Sequence, residues 1–172
     1  MAKTVITYFL QMLDERQHVP KVVDDPRFRV DKVDEPAPQF NKFLYQQVGA
    51  NWEWVDRLVW SDQQWADYVC GETIHTWVAY FDGAPAGYYE LDCQAEADTE
   101  IVYFGLMPEY IGKGFGGALL SSAISNGWVL GAQRIWLHTC TLDHPNALRN
   151  YQKRGLVLYK ETPVGSLVPE ES

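Results

Sequence analysis

A turn rich in glycine lies between two apolar segments in the middle of the chain, and its spacing could bind phosphate. The turn contains Gly112, Gly114, Gly116 and Gly117. An apolar segment with the pattern of a strand precedes it, and residues 118–130 have the apolar spacing of a helix. A strand that enters a helix through such a turn aims backbone N–H groups and the positive end of the helix dipole at one point. The sequence therefore predicts a phosphate-bearing ligand on residues 112–118.

Two common phosphate-binding motifs can be compared with this turn. A P-loop is excluded, because Lys113 is followed by Gly114 and the turn offers no hydroxyl group for Mg²⁺. The dinucleotide fingerprint G-x-G-x-x-G fits once, from Gly112 to Gly117, but no series of parallel βαβ units precedes it. No acidic residue ends the strand predicted over residues 134–140. A different phosphate-binding motif is therefore favoured.

Composition and charge restrict the classes of partner. The 172 residues are 47% hydrophobic and 14% aromatic, which is typical of one folded domain. A formal net charge of −9 argues against general binding to nucleic acid or to an anionic membrane and favours an amine-bearing partner. No apolar run approaches the roughly 18–20 residues that cross a bilayer. Cys70, Cys93 and Cys140 form no disulfide or zinc pattern, so we expect no metal site and a cytoplasmic location.

The elements around the turn alternate between strands and helices. Strands are predicted over residues 4–13, 27–33, 73–81, 86–92, 99–106, 134–140 and 156–160. Helices are predicted over residues 38–48, 61–70, 116–130 and 145–154. Asp82–Gly83 predicts a tight hairpin, and residues 99–140 predict a parallel βαβ crossover. The order indicates an α/β fold whose mixed sheet has antiparallel neighbours early in the chain.

The glycine turn resembles the acetyl-coenzyme A (acetyl-CoA) site of the GNAT superfamily of N-acetyltransferases. That motif consists of Arg or Gln, two residues, Gly, one residue, then Gly or Ala. Gly114 and Gly116 fill the glycine positions, and Ile111 stands where the motif has Arg or Gln. In this family the phosphate is held chiefly by backbone N–H groups, which Ile111 also provides.

A second stretch, residues 137–156, resembles the other signature of the same superfamily. Ala147, Tyr151 and Gly155 fit its pattern, and His144 takes the place of the usual Asn. The resemblance implies a single-domain GNAT fold, with a mixed central sheet of about seven strands, splayed central strands and about four helices.

The resemblance also implies a division of the chain and a set of coenzyme contacts. Residues 1–162 would form one acetyltransferase domain, in which 1–70 supply N-terminal strands and acceptor-side helices and 73–160 bind acetyl-CoA. Residues 163–172 are predicted to form a flexible acidic tail. The implied coenzyme contacts are Phe104, Gly105, Leu106, Met107, Ile111, Gly112, Lys113, Gly114, Phe115, Gly116, Gly117, His144 and Asn146.

In the family that this chain resembles, a primary amine attacks the thioester directly, so a base must first remove a proton from the ammonium form. Glu100 matches the place of the glutamate base in the histone-acetylating branch. On a strand, Glu100, Val102 and Phe104 share a face, so we expect apolar surroundings that raise the pKa of Glu100. Glu90 on the neighbouring strand, or a chain of water molecules, remains an alternative base. Tyr151 is predicted to act as the acid towards the departing coenzyme thiolate.

Trp52, Trp54 and Arg57 are the predicted acceptor contacts, because the first two helices of the resembling family and their link border that pocket. The tryptophans could hold a cationic amine, and Arg57 could bind a carboxylate of the substrate. A small-molecule amine is the favoured acceptor; a peptide amine and a homodimer stay open. The sequence thus predicts an N-acetyltransferase with acetyl-CoA as co-substrate, and the alternative is a non-catalytic module that binds acyl-CoA.

Overall fold

Seven strands and four α-helices make up the computed structural model, which describes residues 4–163. The strands are β1 (Ile6–Met12), β2 (Phe28–Lys32), β3 (Ile74–Phe81), β4 (Ala84–Cys93), β5 (Asp98–Leu106), β6 (Arg134–Cys140) and β7 (Val157–Pro163). The helices are α1 (Pro38–Gly49), α2 (Asp62–Val69), α3 (Phe115–Val129) and α4 (Ala147–Lys153). The predicted element types and their order are confirmed. Of the predicted acidic tail, Pro163 ends β7 and residues 164–172 lie outside the described residues.

The strands form one mixed sheet in the order β2-β3-β4-β5-β6-β1-β7. Among the strands of the described residues, only β5 and β6 run parallel to each other, which confirms the predicted crossover through α3. The expected antiparallel neighbours early in the chain do not include β1 and β2, because β1 lies between β6 and β7 and pairs antiparallel with both. Five strand spacings, or about 24 Å, therefore separate β1 from β2. Residues 13–27 must cross the sheet to connect them.

A two-residue turn joins β3 to β4, as the sequence predicted. Asp82 and Gly83 have φ values of 50° and 90° and are flanked by the paired residues Phe81 and Ala84. Both turn residues tolerate positive φ, which suits the twist of the two strands. β4 therefore starts at Ala84, two residues before the predicted start.

A β-bulge between β4 and β5 changes which residues share a face. Leu91 lies opposite Ile101, whereas its neighbour Glu90 lies opposite Tyr103, so Val102 is an extra residue without a partner in β4. An extra residue shifts the alternation of side chains by one. The prediction that Glu100, Val102 and Phe104 share a face is consequently wrong.

Helices cover both faces of the sheet, and each face has its own core. Leu119 of α3 packs with Tyr89 of β4 on one face. Leu44 of α1 and Trp65 of α2 pack with Tyr88 on the other face. All of these side chains are at most 1% exposed. Adjacent residues of β4 thus point into opposite cores, as the two-residue period of a strand requires.

The two parallel strands separate soon after they meet. β5 and β6 pair only over residues 98–100 and 134–136. Beyond Glu100, β5 keeps its pairing with β4 but has no strand partner from residues 4–163 on its other edge. This observation confirms the splayed central strands, and the gap between them leads into the cavities described next.

Candidate functional site

A cavity of about 300 Å³ lies between the end of β5, the glycine turn and the start of α4. We call it the glycine-turn cavity. Most of the predicted coenzyme contacts line it, namely Phe104, Gly105, Leu106, Ile111, Gly112, Gly114, Gly116, His144 and Asn146. Met107, Phe115 and Gly117 are buried and do not line the cavity. Lys113 is exposed, and its Nζ lies 5.6 Å from the centroid of the Tyr110 ring. The structure therefore gathers two distant motifs around one cavity.

The glycine turn leaves the start of α3 open to an anion. Gly114 is the N-cap of α3 and has a φ of 84°, a conformation that an L side chain rarely adopts. No side chain in the described part of the chain caps the helix, and its first turn contains no acidic residue. The first N–H groups of an uncapped helix have no partner within the helix and favour negative charge. This geometry suits a phosphate group.

A second, larger cavity of about 600 Å³ occupies the gap between β5 and β6. We call it the splay cavity. The two cavities share part of their walls, formed by Trp52, Trp54, Phe104, Asp143 and Tyr151. A ligand in one cavity can therefore meet a ligand in the other at these side chains.

Tyr151 lies at the junction of the two cavities. It is 5% exposed and packs edge-on against Phe104, with ring centroids 6.0 Å apart. Its hydroxyl group has no hydrogen-bond partner among residues 4–163. Burial, and secondarily the charge of Asp143, raises the pKa of Tyr151 well above its ordinary value. The phenol is thus protonated at neutral pH and can donate a hydrogen bond into either cavity.

Glu100 lies on the opposite face of the sheet from Phe104, and its surroundings are polar rather than apolar as predicted. Its side chain is 13% exposed, and it accepts a hydrogen bond of 2.8 Å from Gln94 Nε2. His138 Nε2 lies 3.6 Å from Glu100 Oε1. Burial raises the pKa of Glu100 to about 6, against a smaller lowering effect of the Gln94 hydrogen bond.

His138 connects Glu100 with the splay cavity. Glu100 itself does not line the cavity, whereas His138 does and is half exposed. Burial lowers the pKa of His138, so the imidazole is mainly neutral at pH 7. A neutral imidazole that bridges a carboxylate and a cavity can pass a proton between them.

Arg57 and Glu90, predicted as a substrate contact and as a reserve base, lie together in the interior. Arg57 Nη1 is 3.0 Å from Glu90 Oε2, and the two side chains are 5% and 0% exposed. Asn41 donates a further hydrogen bond of 3.1 Å to Glu90. Neither residue lines the two cavities. The structure thus does not bring Arg57 and Glu90 to the site. Their two charges pair with each other in the interior.

Aromatic side chains do form a cage around a cation, but the cation is Arg57. Its guanidinium carbon lies 4.1 Å from the ring centroid of Tyr68, 4.4 Å from that of Tyr103 and 4.7 Å from that of Trp60. Trp52 and Trp54 are placed differently and reach both cavities. Of the three predicted acceptor contacts, Trp52 and Trp54 therefore line the cavities, whereas Arg57 belongs to an internal ion pair.

Asn150, His138 and Lys21 are among the cavity residues that were not predicted from the sequence. Asn150 lines the glycine-turn cavity one helical turn after Asn146, and helical spacing from the second motif could have indicated it. His138 lies in β6, and no pattern in the sequence distinguishes it from a structural strand residue. Lys21 lines the glycine-turn cavity although it lies in the segment that crosses the sheet, far from either motif in sequence. No local signal identifies it.

The model of the acetyltransferase (GNAT) family matches residues 38–156, which is more than half of the chain. The chain belongs to the GNAT family of acetyltransferases. The match contains the glycine turn, β5, β6 and all of α4, and with them every residue that lines the two cavities except Val5, Thr7 and Lys21. A search of the curated proteins finds no match.

Solved structures share the fold of this GNAT chain at low sequence identity. A GCN5-related N-acetyltransferase from Sphaerobacter thermophilus aligns with 92% of this chain, with 12% identity and a TM-score of 0.72. A tandem GNAT protein from the clavulanic acid biosynthesis pathway matches over 93%, with 15% identity and a TM-score of 0.63. The chain spans only 50% and 52% of these two proteins.

A shorter protein also shares the GNAT fold. An aminoglycoside acetyltransferase from an uncultured soil metagenomic sample matches 76% of this chain and 88% of its own, with 13% identity and a TM-score of 0.63.

Within residues 4–163, no helix is long and apolar enough to span a membrane. In the same part of the chain, no three His, Cys, Asp or Glu side chains group in a way that could hold a metal ion.

Proposed function

We propose that this GNAT domain transfers an acetyl group from acetyl-CoA to a primary amine. The observation that carries the proposal is the meeting of two cavities at Tyr151. The glycine-turn cavity has the anion-binding end that a coenzyme needs, and the splay cavity opens on the other side of the same phenol. Two substrates that enter from opposite sides would therefore meet beside a protonated hydroxyl group.

The coenzyme would bind along the glycine turn and the free edge of β5. The N–H groups at the start of α3 would hold its pyrophosphate, since no side chain of residues 4–163 caps them. The pantetheine arm would pair with the edge of β5 near Phe104 to Leu106, which no strand of the described residues occupies. The same edge supplies N–H groups for the oxyanion that forms on the thioester.

Glu100 and Tyr151 would handle the protons. The amine enters as an ammonium ion, gives a proton to Glu100 through His138 and attacks the thioester carbon. Collapse of the tetrahedral intermediate breaks the carbon–sulfur bond and releases the coenzyme thiolate, which accepts a hydrogen bond from Tyr151. The second proton on the former amine nitrogen then neutralises the thiolate, so that the products are a neutral amide and coenzyme A. The raised pKa of Tyr151 favours hydrogen-bond donation over complete transfer, because a free thiol has a pKa of about 8.5.

The splay cavity suits a cationic acceptor. Glu53, Asp56 and Asp143 contribute carboxylates to its wall, beside the aromatic rings of Trp52 and Trp54. Carboxylates and aromatic faces both attract an ammonium group. The net charge of −9 acts in the same direction. A small molecule with one or more primary amines is the acceptor class that this wall favours.

A thiol-release assay tests the proposal. The protein is incubated with acetyl-CoA and a panel of primary amines, mono- and polycationic, and free thiol is measured. We expect turnover with a cationic amine, and loss of most of it in Tyr151→Phe. The alternative of a non-catalytic acyl-CoA module is favoured by Ile111 and His144, which depart from the family motifs. Tight coenzyme binding without turnover on any amine or peptide would establish that alternative.

A further inference from the structure

The segment that crosses the sheet, residues 13–27, is attached to the two helices of the glycine-turn cavity. The Val19 N–H donates a hydrogen bond of 2.9 Å to the Arg154 carbonyl group at the end of α4. The Lys21 N–H donates one of 2.8 Å to Ser121 Oγ in α3. These two hydrogen bonds hold the backbone of the crossing segment against the site.

The Lys21 side chain lies across the first turn of α3. A Cβ atom added at Gly117 would lie 2.6 Å from Lys21 Cδ, closer than real Cβ atoms approach other atoms. A Cβ atom added at Gly114 would lie 3.4 Å from Lys21 Nζ. Gly117 therefore leaves the space through which the lysine chain passes, and the ammonium group ends beside the N-cap of α3.

Two positively charged side chains, Lys21 and Arg154, lie at the start of α3, although the chain as a whole is acidic. Lys21 forms no ion pair with any residue in the described range 4–163, and it is exposed to the cavity. Arg154 Nη1 would lie 3.1 Å from the same Cβ position at Gly117, and the buried Arg154 Nε has no hydrogen-bond partner in that range. Two cations that have no carboxylate partner within residues 4–163 thus flank a helix N-terminus.

Among the described residues, Asp143 is the carboxylate that lines this cavity, and it already accepts hydrogen bonds within the protein. It accepts hydrogen bonds of 2.7 Å from Thr139 Oγ1 and 2.8 Å from the His144 N–H. It also lines the splay cavity, where the two cavities join at Tyr151, whereas Lys21 lines only the glycine-turn cavity. The cavity therefore has an acidic and a basic end.

We propose that Lys21 binds the pyrophosphate of the coenzyme, and that it supplies from the crossing segment the cation that Ile111 does not provide within the motif. The proposal rests on the proposed function, because it assigns a residue of the same site. The pyrophosphate is the phosphate group concerned, since Lys21 Nζ lies beside the N-cap whose N–H groups would hold it. A lysine there would act as a point charge on the phosphate oxygens.

The test measures binding of three ligands by calorimetry: coenzyme A, dephospho-coenzyme A, which lacks only the 3′-phosphate, and pantetheine, which lacks all phosphates. The variants are Lys21→Met and Lys21→Arg. Lys160→Met, on β7, is the matched control. We expect Lys21→Met to weaken coenzyme A and dephospho-coenzyme A by the same factor, about tenfold. Pantetheine binding should not change, Lys21→Arg should recover most of the affinity, and Lys160→Met should behave like the parent protein.

The possible failures are distinguishable. If the parent protein binds no coenzyme A, the proposed function fails. If the parent binds it and Lys21→Met binds it equally well, only the role of Lys21 is refuted. A loss confined to coenzyme A would place Lys21 on the 3′-phosphate and overturn the pyrophosphate assignment. An equal loss for pantetheine would mean that the substitution disturbs the fold, which also overturns the proposal.

Discussion

Replacing Glu100 by Gln should make the protein more stable at neutral pH and less active. The pKa of Glu100 rises from 4.5 to about 6 in the folded protein because the carboxyl group is buried. Between these values the folded protein keeps the proton that the unfolded chain has lost. Stability therefore falls as pH increases through this window and stays lower above it. A rise of this size corresponds to about 2 kcal/mol, at about 1.4 kcal/mol per pKa unit.

The uncharged Gln variant avoids this cost and keeps an oxygen that can accept the Gln94 hydrogen bond. Its advantage in the free energy of unfolding should approach about 2 kcal/mol at pH 7.5. Over the range from pH 5 to pH 7.5 the advantage should grow by about 1 kcal/mol, because part of the window lies below pH 5. Urea unfolding of both proteins at several pH values measures it. Glu72→Gln, an exposed carboxylate, is the control, and we expect no comparable growth with pH.

Activity should change in the opposite direction. The kcat/KM of the parent protein should increase as pH rises through about 6, when Glu100 loses its proton and can act as base. The variant should lose this dependence and about 100-fold of kcat, a typical contribution of general base catalysis. An advantage in stability that does not grow with pH would refute the burial argument. Unchanged kcat with increased stability would refute the role of Glu100 as base and leave only the cost of burying its charge.

Three further changes have separate expected outcomes. Tyr151→Phe should lower kcat by at least about tenfold without changing coenzyme affinity, as turnover and calorimetry together can show. Gly116→Val should weaken coenzyme binding with little change in thermal unfolding, because a Cβ atom there makes only ordinary contact, 3.7 Å from Asn150 Nδ2, but extends into the cavity. Arg57→Met should destabilise the protein by about 3–5 kcal/mol in urea unfolding, because it leaves the charge of Glu90 buried and unpaired.

Local patterns in the sequence were sufficient to predict the elements that carry the site. The bounds predicted for β6, residues 134–140, agree with the structure. The Asp82–Gly83 turn formed as predicted because its two residues tolerate positive φ. The α4 helix begins at Ala147 instead of Pro145, since the chain makes a turn through Pro145 and Asn146 first. Such ends depend on a few hydrogen bonds and are less determined by periodicity.

Longer-range features could not be predicted in this way. The bulge at Val102 placed Glu100 on the face opposite Phe104, and a bulge is a property of two paired strands rather than of one. The partner of Arg57 was equally hidden, because Glu90 lies 33 residues away. Aromatic side chains that could have surrounded a cationic substrate surround the guanidinium group of Arg57 instead.

The sequence by itself determined the α/β order of elements, the glycine turn at the start of α3 and the position of Tyr151 within its motif, because these follow from spacing within one element. The tertiary structure decided which side chains share a cavity. β1 inserts between β6 and β7, so the chain must cross the sheet and brings Lys21 to the glycine turn. That contact joins residues almost a hundred positions apart, and only the pairing of whole strands creates it.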